Sequence, residues 1–156
     1  AIAVASCLSL PSPCLAQSIA VERPDAGSPA AKLTVFSGSR ALANWYGSGA
    51  VEVSAPLCIG TTTGVFRLNV SPSSGLMKLT QKASATLSLE QDGVLVSSQA
   101  FNGLATISFT GRIERVSLDC NGGTNARLIL HLPEASLTAA SDGQYFDQLQ
   151  LQLEAF

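Results

Sequence analysis

Charge is scarce in this chain of 156 residues. Only 13% of its side chains are charged, and 9 Lys and Arg stand against 11 Asp and Glu for a net charge of −2. The basic residues are scattered, so no patch exists that could displace counterions from phosphates, which argues against a nucleic-acid partner. There is one histidine, His131, and the four cysteines, Cys7, Cys14, Cys58 and Cys120, contain no Cys-x-x-Cys unit. Neither of the common zinc ligand sets can therefore be assembled from local motifs. Long runs with apolar residues every three or four positions are also missing, which excludes a helical bundle.

What remains is a chain of short apolar runs separated by small residues. Ala85, Leu87 and Leu89 alternate with Thr86, Ser88 and Glu90, Asp92-Gly93 supplies a tight turn, and Val94-Leu95-Val96 returns. That is the signature of a β-hairpin. Further strands are predicted over Leu33–Phe36, Ala41–Tyr46, Val51–Ala55 (with Pro56 interrupting), Gly64–Val70, Leu104–Thr110, Ile113–Cys120 and Ala126–Leu132. Turn signals recur about every ten residues, so the expected fold is an all-β antiparallel sandwich.

The N-terminus has a different character. Residues 1–16 carry no charge, and Pro11 and Pro13 end their apolar run ahead of Cys14-Leu15-Ala16. This reads as the later part of a secretory signal peptide, with cleavage expected before Gln17. An alternative is lipidation at Cys7, because Val4-Ala5-Ser6-Cys7 resembles a lipobox. Residues 17–32 contain Pro24, Asp25, Gly27, Ser28 and Pro29 and read as a flexible leader, with the sandwich domain spanning 33–156. Cleavage would leave Cys58 and Cys120, an even pair in an exported protein, and the simplest expectation is a disulfide between them.

The last stretch is the most patterned. Leu149, Leu151 and Leu153 alternate with Gln148, Gln150, Gln152 and Glu154, after a Ser141-Asp142-Gly143 turn. The prediction is a strand with a leucine ridge on one face, at a sheet margin that must be covered or will recruit another chain.

Gly143-x-Tyr145-x-Asp147 followed by this alternating strand resembles the end of spore coat protein U-type domains, found in subunits of archaic (Csu-like) chaperone–usher pili. The passage Val51–Cys58 followed by Gly64–Val70 is similar to that family's strand, cysteine, strand segment. Members of the family usually pair an earlier cysteine with the one near Cys58, and no cysteine of the expected mature chain precedes Cys58. The resemblance implies an immunoglobulin-like sandwich that is one strand short. Its partners would be a periplasmic chaperone, an outer-membrane usher and neighbouring pilus subunits, which complete the fold by strand addition. It also implies that Leu149, Leu151, Leu153 and Phe156 lie where those partners dock, in a subunit that passes through the periplasm to a surface fimbria supporting adhesion or biofilm formation.

Residues that could suggest chemistry each have a simpler reading. His131 faces away from Leu128, Leu130 and Leu132 by alternation, toward solvent or a loop. Asp142 and Asp147 could be imagined as a calcium pair, but Asp142 suits the turn it sits in. Ser73-Ser74-Gly75 and Asn121-Gly122-Gly123 lack the lysine and helix start of a phosphate loop. Trp45-Tyr46 could stack a sugar, but core packing of Trp45 with Tyr46 outward is the better expectation. With no nucleophile–base pair, the reading is a non-enzymatic subunit with no cofactor, metal or small-molecule substrate. The alternative is an exported closed sandwich that binds a carbohydrate or protein.

Overall fold

In the segment Ala85–Gln91, Ala85, Leu87 and Leu89 are buried while Thr86, Ser88 and Glu90 keep partial exposure. Period-two burial is what a strand shows when one face lies on a core. The same pattern builds most of the molecule. The computed structural model describes residues 2–6, 19–20, 29–36, 45–72, 85–138 and 149–156. Among them it forms β1 (Ile2–Ser6), β2 (Ile19–Ala20), β3 (Ala31–Val35), β4 (Val51–Thr61), β5 (Val65–Pro72), β6 (Ala85–Gln91), β7 (Val94–Phe101), β8 (Ile107–Arg112), β9 (Ala126–Leu132) and β10 (Leu149–Ala155), with one short helix, α1 (Glu134–Thr138).

All pairings are antiparallel. The smaller sheet runs β10-β5-β8 and is extended by β1 beside β10. The larger runs β3-β4-β9-β6-β7 and is extended by β2 beside β3. The fold is thus the all-β sandwich expected from the sequence. Phe66, Leu68 and Phe109 of the smaller sheet face a core shared with Leu33, Leu57, Ile59 and Leu87 of the larger, each almost fully buried. Burying one such side chain contributes about 1.5–3 kcal/mol, so this layer dominates stability. A satellite cluster under α1 joins Ala85, Leu132 and Leu137, with Trp45 packed against it.

The predicted hairpin is present. Asp92 (φ 49°) and Gly93 (φ 79°) both occupy the left-handed region that a two-residue type I′ turn requires. A bulge between Leu89 and Glu90 shifts the register near the turn.

Three other expectations are corrected. Pro56 does not interrupt β4, which runs through it between β3 and β9. Its carbonyl accepts the Phe36 N–H at 3.0 Å, and the β3 ladder ends one step earlier at Val35–Leu57. A strand residue's N–H and C=O point the same way, so the donor that proline lacks would face Phe36, one residue past the end of β3, and only one bond at the end of that ladder is lost. Trp45 and Tyr46 are not in a strand; the preceding 41–44 lie outside the described residues.

Two strands were expected over 104–110 and 113–120, and the structure holds one, β8. It starts only at Ile107, because the Asn102 side chain accepts the Leu104 N–H at 2.9 Å and that of Ala105 at 3.3 Å, closing a turn. It then continues through Gly111, where a Cβ would come within 2.7 Å of the buried Phe66 ring. Beyond Ile113 the chain leaves the smaller sheet and crosses the outer face of β4, with the Leu118 backbone so close to Gly60 that a Cβ there would lie 2.4 Å from the Leu118 carbonyl oxygen.

Where β9 separates from β4 after the Leu57–Ala126 pair, a side chain replaces the ladder. Asn125 Oδ1 accepts the Ile59 N–H at 2.8 Å, and its Nδ2 donates to the Ile59 carbonyl at 2.8 Å. Asn125→Ala leaves both Ile59 groups without this partner. The expected cost is about 1–3 kcal/mol, read as a lower urea midpoint with unchanged slope.

Candidate functional site: the margin of the terminal strand

β10 carries the leucine ridge. Leu151 and Leu153 are buried in the core, Leu149 packs partly buried against it, and Gln150 on the other face is exposed. On one side β10 pairs with β5 from Leu149–Pro72 to Ala155–Phe66. The outer face of this pair is polar: Arg67 lies 3.6 Å from Glu154, and Asn69 Nδ2 donates to Glu154 Oε1 at 3.4 Å. With the Arg67 side chain 44% exposed, the ion pair contributes at most about 1 kcal/mol. Phe156 follows the strand, half exposed, its N–H donating to the Val65 carbonyl at 3.3 Å and its ring 4.7 Å beneath the Arg67 guanidinium.

The other side of β10 is where the sequence reading missed something. β1 lies there, antiparallel, with Ala3 opposite Leu153, Val4 opposite Gln152 and Ala5 opposite Leu151. The apolar run read as a secretory signal therefore also pairs as a strand. The clue available in the sequence was its own length of uncharged, partly β-branched residues, equally suited to either role. β2 covers the matching margin of the larger sheet, with Ile19 opposite Leu33. Together the two N-terminal segments close the side of the sandwich bounded by β10 and β3.

Gly143, Tyr145 and Asp147, together with Asp142 and the cysteines Cys7 and Cys14, lie outside the described residues. The remaining candidates are dispersed. His131 sits on the outer face of β9, its Nδ1 3.7 Å from Glu52 Oε2, both side chains well exposed. Trp45 packs against the satellite cluster and donates from Nε1 to the Gly49 carbonyl at 2.9 Å, while Tyr46 is 89% exposed. Among the described residues no group of three metal-ligating side chains occurs.

Cys58 and Cys120 are bonded, with S–S 2.02 Å and Cα atoms 6.0 Å apart. Cys58 is buried on the outer face of β4, covered by the crossover that Cys120 ends. The turn at Cys120–Gly122 is tight, with positive φ at Cys120 (50°), Asn121 (52°) and Gly122 (78°). Left-handed backbone is costly for residues with a Cβ, and local bonds hold it. Asp119 accepts the Asn121 N–H at 3.0 Å and the Ser117 hydroxyl at 2.9 Å. These bonds hold the Asp119 carboxyl below its ordinary value.

Comparison with protein-family models, with curated proteins and with solved structures found no match. The fold and the bond together define the class: an antiparallel two-sheet sandwich stapled by the Cys58–Cys120 disulfide, a bond compatible with an exported protein. No helix among the described residues is long and apolar enough to cross a membrane.

The bridge closes a loop of 62 residues. Replacing both cysteines with alanine is expected to cost about 4 kcal/mol, measured as the loss in unfolding free energy of the variant against the oxidised parent. Thiol counting on the unfolded, non-reduced parent should find neither Cys58 nor Cys120 free.

Proposed function

We propose that this chain is a structural subunit of a bacterial surface fimbria, assembled by strand complementation with a periplasmic chaperone, an outer-membrane usher and neighbouring subunits. The observation that carries this reading is the β1–β10 ladder. A five-residue uncharged segment lies along the terminal strand, so the margin of β10 is shaped for an extended strand that supplies main-chain hydrogen bonds. Once residues 1–16 are removed by signal peptidase, that margin is bare and the core leucines Leu151 and Leu153 lie beside an open side. The bare margin is then the place for a chaperone strand first and a neighbouring subunit's strand afterwards. The alternating ridge and the resemblance at Gly143, Tyr145 and Asp147 support the same reading.

A second reading rests on the same ladder. If Ile2–Ser6 stays with the folded protein, the sandwich is closed in cis and the chain is an exported monomeric binding module. Lipid attachment at Cys7 would keep such a module at the membrane.

Export of the full chain to a bacterial periplasm, with and without a co-expressed periplasmic pilus chaperone, separates the two. The fimbrial reading expects soluble protein only with the chaperone, in a one-to-one complex whose subunit begins at Gln17. A stable monomer without chaperone, retaining Ile2–Ser6 by mass spectrometry, establishes the closed module instead. In the complex, Leu151→Asp places a charge in the core at a cost of several kcal/mol and is expected to abolish chaperone binding. Gln150→Asp, on the exposed face, is expected to leave it intact.

A further inference from the structure

The smaller sheet has a second margin, β8, and it is finished differently. Ile113 donates to the Gly64 carbonyl at 2.7 Å, toward β5. Alternation along the strand therefore turns the backbone groups of Ser108, Thr110 and Arg112 away from β5, to the side where no described strand pairs. Two of these three outward carbonyls are occupied. Gln99 Nε2 donates to the Ser108 carbonyl at 2.8 Å, and Gln91 Nε2 donates to the Arg112 carbonyl.

Both glutamines come from the opposite sheet and occupy inward positions. Gln91 continues the buried series Ala85, Leu87, Leu89 on β6, and Gln99 on β7 lies directly opposite Leu87. Directly opposed residues share a face, so apolar side chains would be expected at both places. Each is half-buried instead, and reaches across the gap between sheets to the margin of β8. A polar group pointing inward at a sheet margin is one of the ways proteins prevent an added strand from pairing.

We propose that Gln91 and Gln99 exclude strands from the β8 margin, so that the smaller sheet can be extended only at β10. What they exclude first is the β8 strand of a second copy of this chain, which would pair antiparallel about Thr110. The inference rests on the fimbrial reading only for what β10 receives; the closure of β8 is a property of the fold and holds for a closed module as well. A subunit that adds strands needs one margin open and the other sealed, since two open margins would branch or aggregate the fibre.

The test uses the full chain, with Ile2–Ser6 covering β10, produced under oxidising conditions and followed by sedimentation velocity. Gln91→Leu with Gln99→Leu keeps the size of both side chains and removes both amide donors. The expected result is a shift from monomer to dimer at the same protein concentration. Thr110→Cys in this background is expected to give a disulfide-linked dimer on oxidation, and none in the parent. Adding Thr110→Pro, which removes only a backbone N–H facing the free side, is expected to restore the monomer. If the double variant loses its near-UV circular dichroism, Gln99→Ala alone, with Gln91 still holding the end of β8, carries the same comparison. A folded variant that stays monomeric, or a dimer that Thr110→Pro does not reverse, overturns the proposal. Neither result bears on whether a chaperone binds β10, so failure here is separable from failure of the fimbrial reading.

Discussion

A β-sheet that does not close on itself ends in strands whose outward N–H and C=O groups have no neighbour, and each such margin has to be finished somehow. In this molecule the margins of the smaller sheet are finished by unlike means. At β8, side-chain amides from Gln91 and Gln99 take up the carbonyls of Arg112 and Ser108. At β10, a backbone segment, Ile2–Ser6, supplies a whole ladder. A side-chain cap belongs to the fold and cannot be exchanged, whereas a strand held by main-chain hydrogen bonds can be replaced by another of similar character. The functional reading grows out of this asymmetry.

The larger sheet depends on a different device. After β8 the chain must travel from one sheet to the other, and it does so across the outer face of β4 over Gly60, the small residue that lets the Leu118 backbone approach. Cys58 and Cys120 then fix the crossover, and Asn125 completes the β4 hydrogen bonds where β9 has turned away. These contacts act on consecutive residues of β4, from Cys58 to Gly60. The outer face of this strand is thus covered by chain rather than by solvent, which accounts for the burial of Cys58 on a face that alternation would leave exposed.

Much of the fold was legible because burial with period two leaves its mark on residue choice. The β6–β7 hairpin, β5, β9 and the leucine ridge of β10 all carry that mark. The errors arose where one local signal stood for two tertiary outcomes. Pro56 reads as a strand breaker, yet its missing donor falls at the very end of the β3 pairing, where a single bond is lost and its carbonyl still accepts the Phe36 N–H. Gly111 reads as a break between two strands, yet it is the place where the Phe66 ring packs across the pair. The run Ile113–Cys120 has strand-like composition, but past the Ile113–Gly64 bond it joins no ladder among the described strands, and Val116 and Leu118 remain exposed.

Residue order alone was enough for the class of fold, the turn at Asp92-Gly93, the pairing partner of Cys58 once the chain is taken as exported, and the inward face of Leu151 and Leu153. These follow from local chemistry: alternation, left-handed turn residues and an even cysteine count. The folded arrangement was needed to learn which strands are neighbours, which margin meets the glutamine side chains and which is covered by Ile2–Ser6. Those outcomes depend on pairings between residues far apart in the chain, as between Ala5 and Leu151 or Gln99 and Ser108, and on the gap between two sheets, neither of which leaves a trace in the order of residues along one strand.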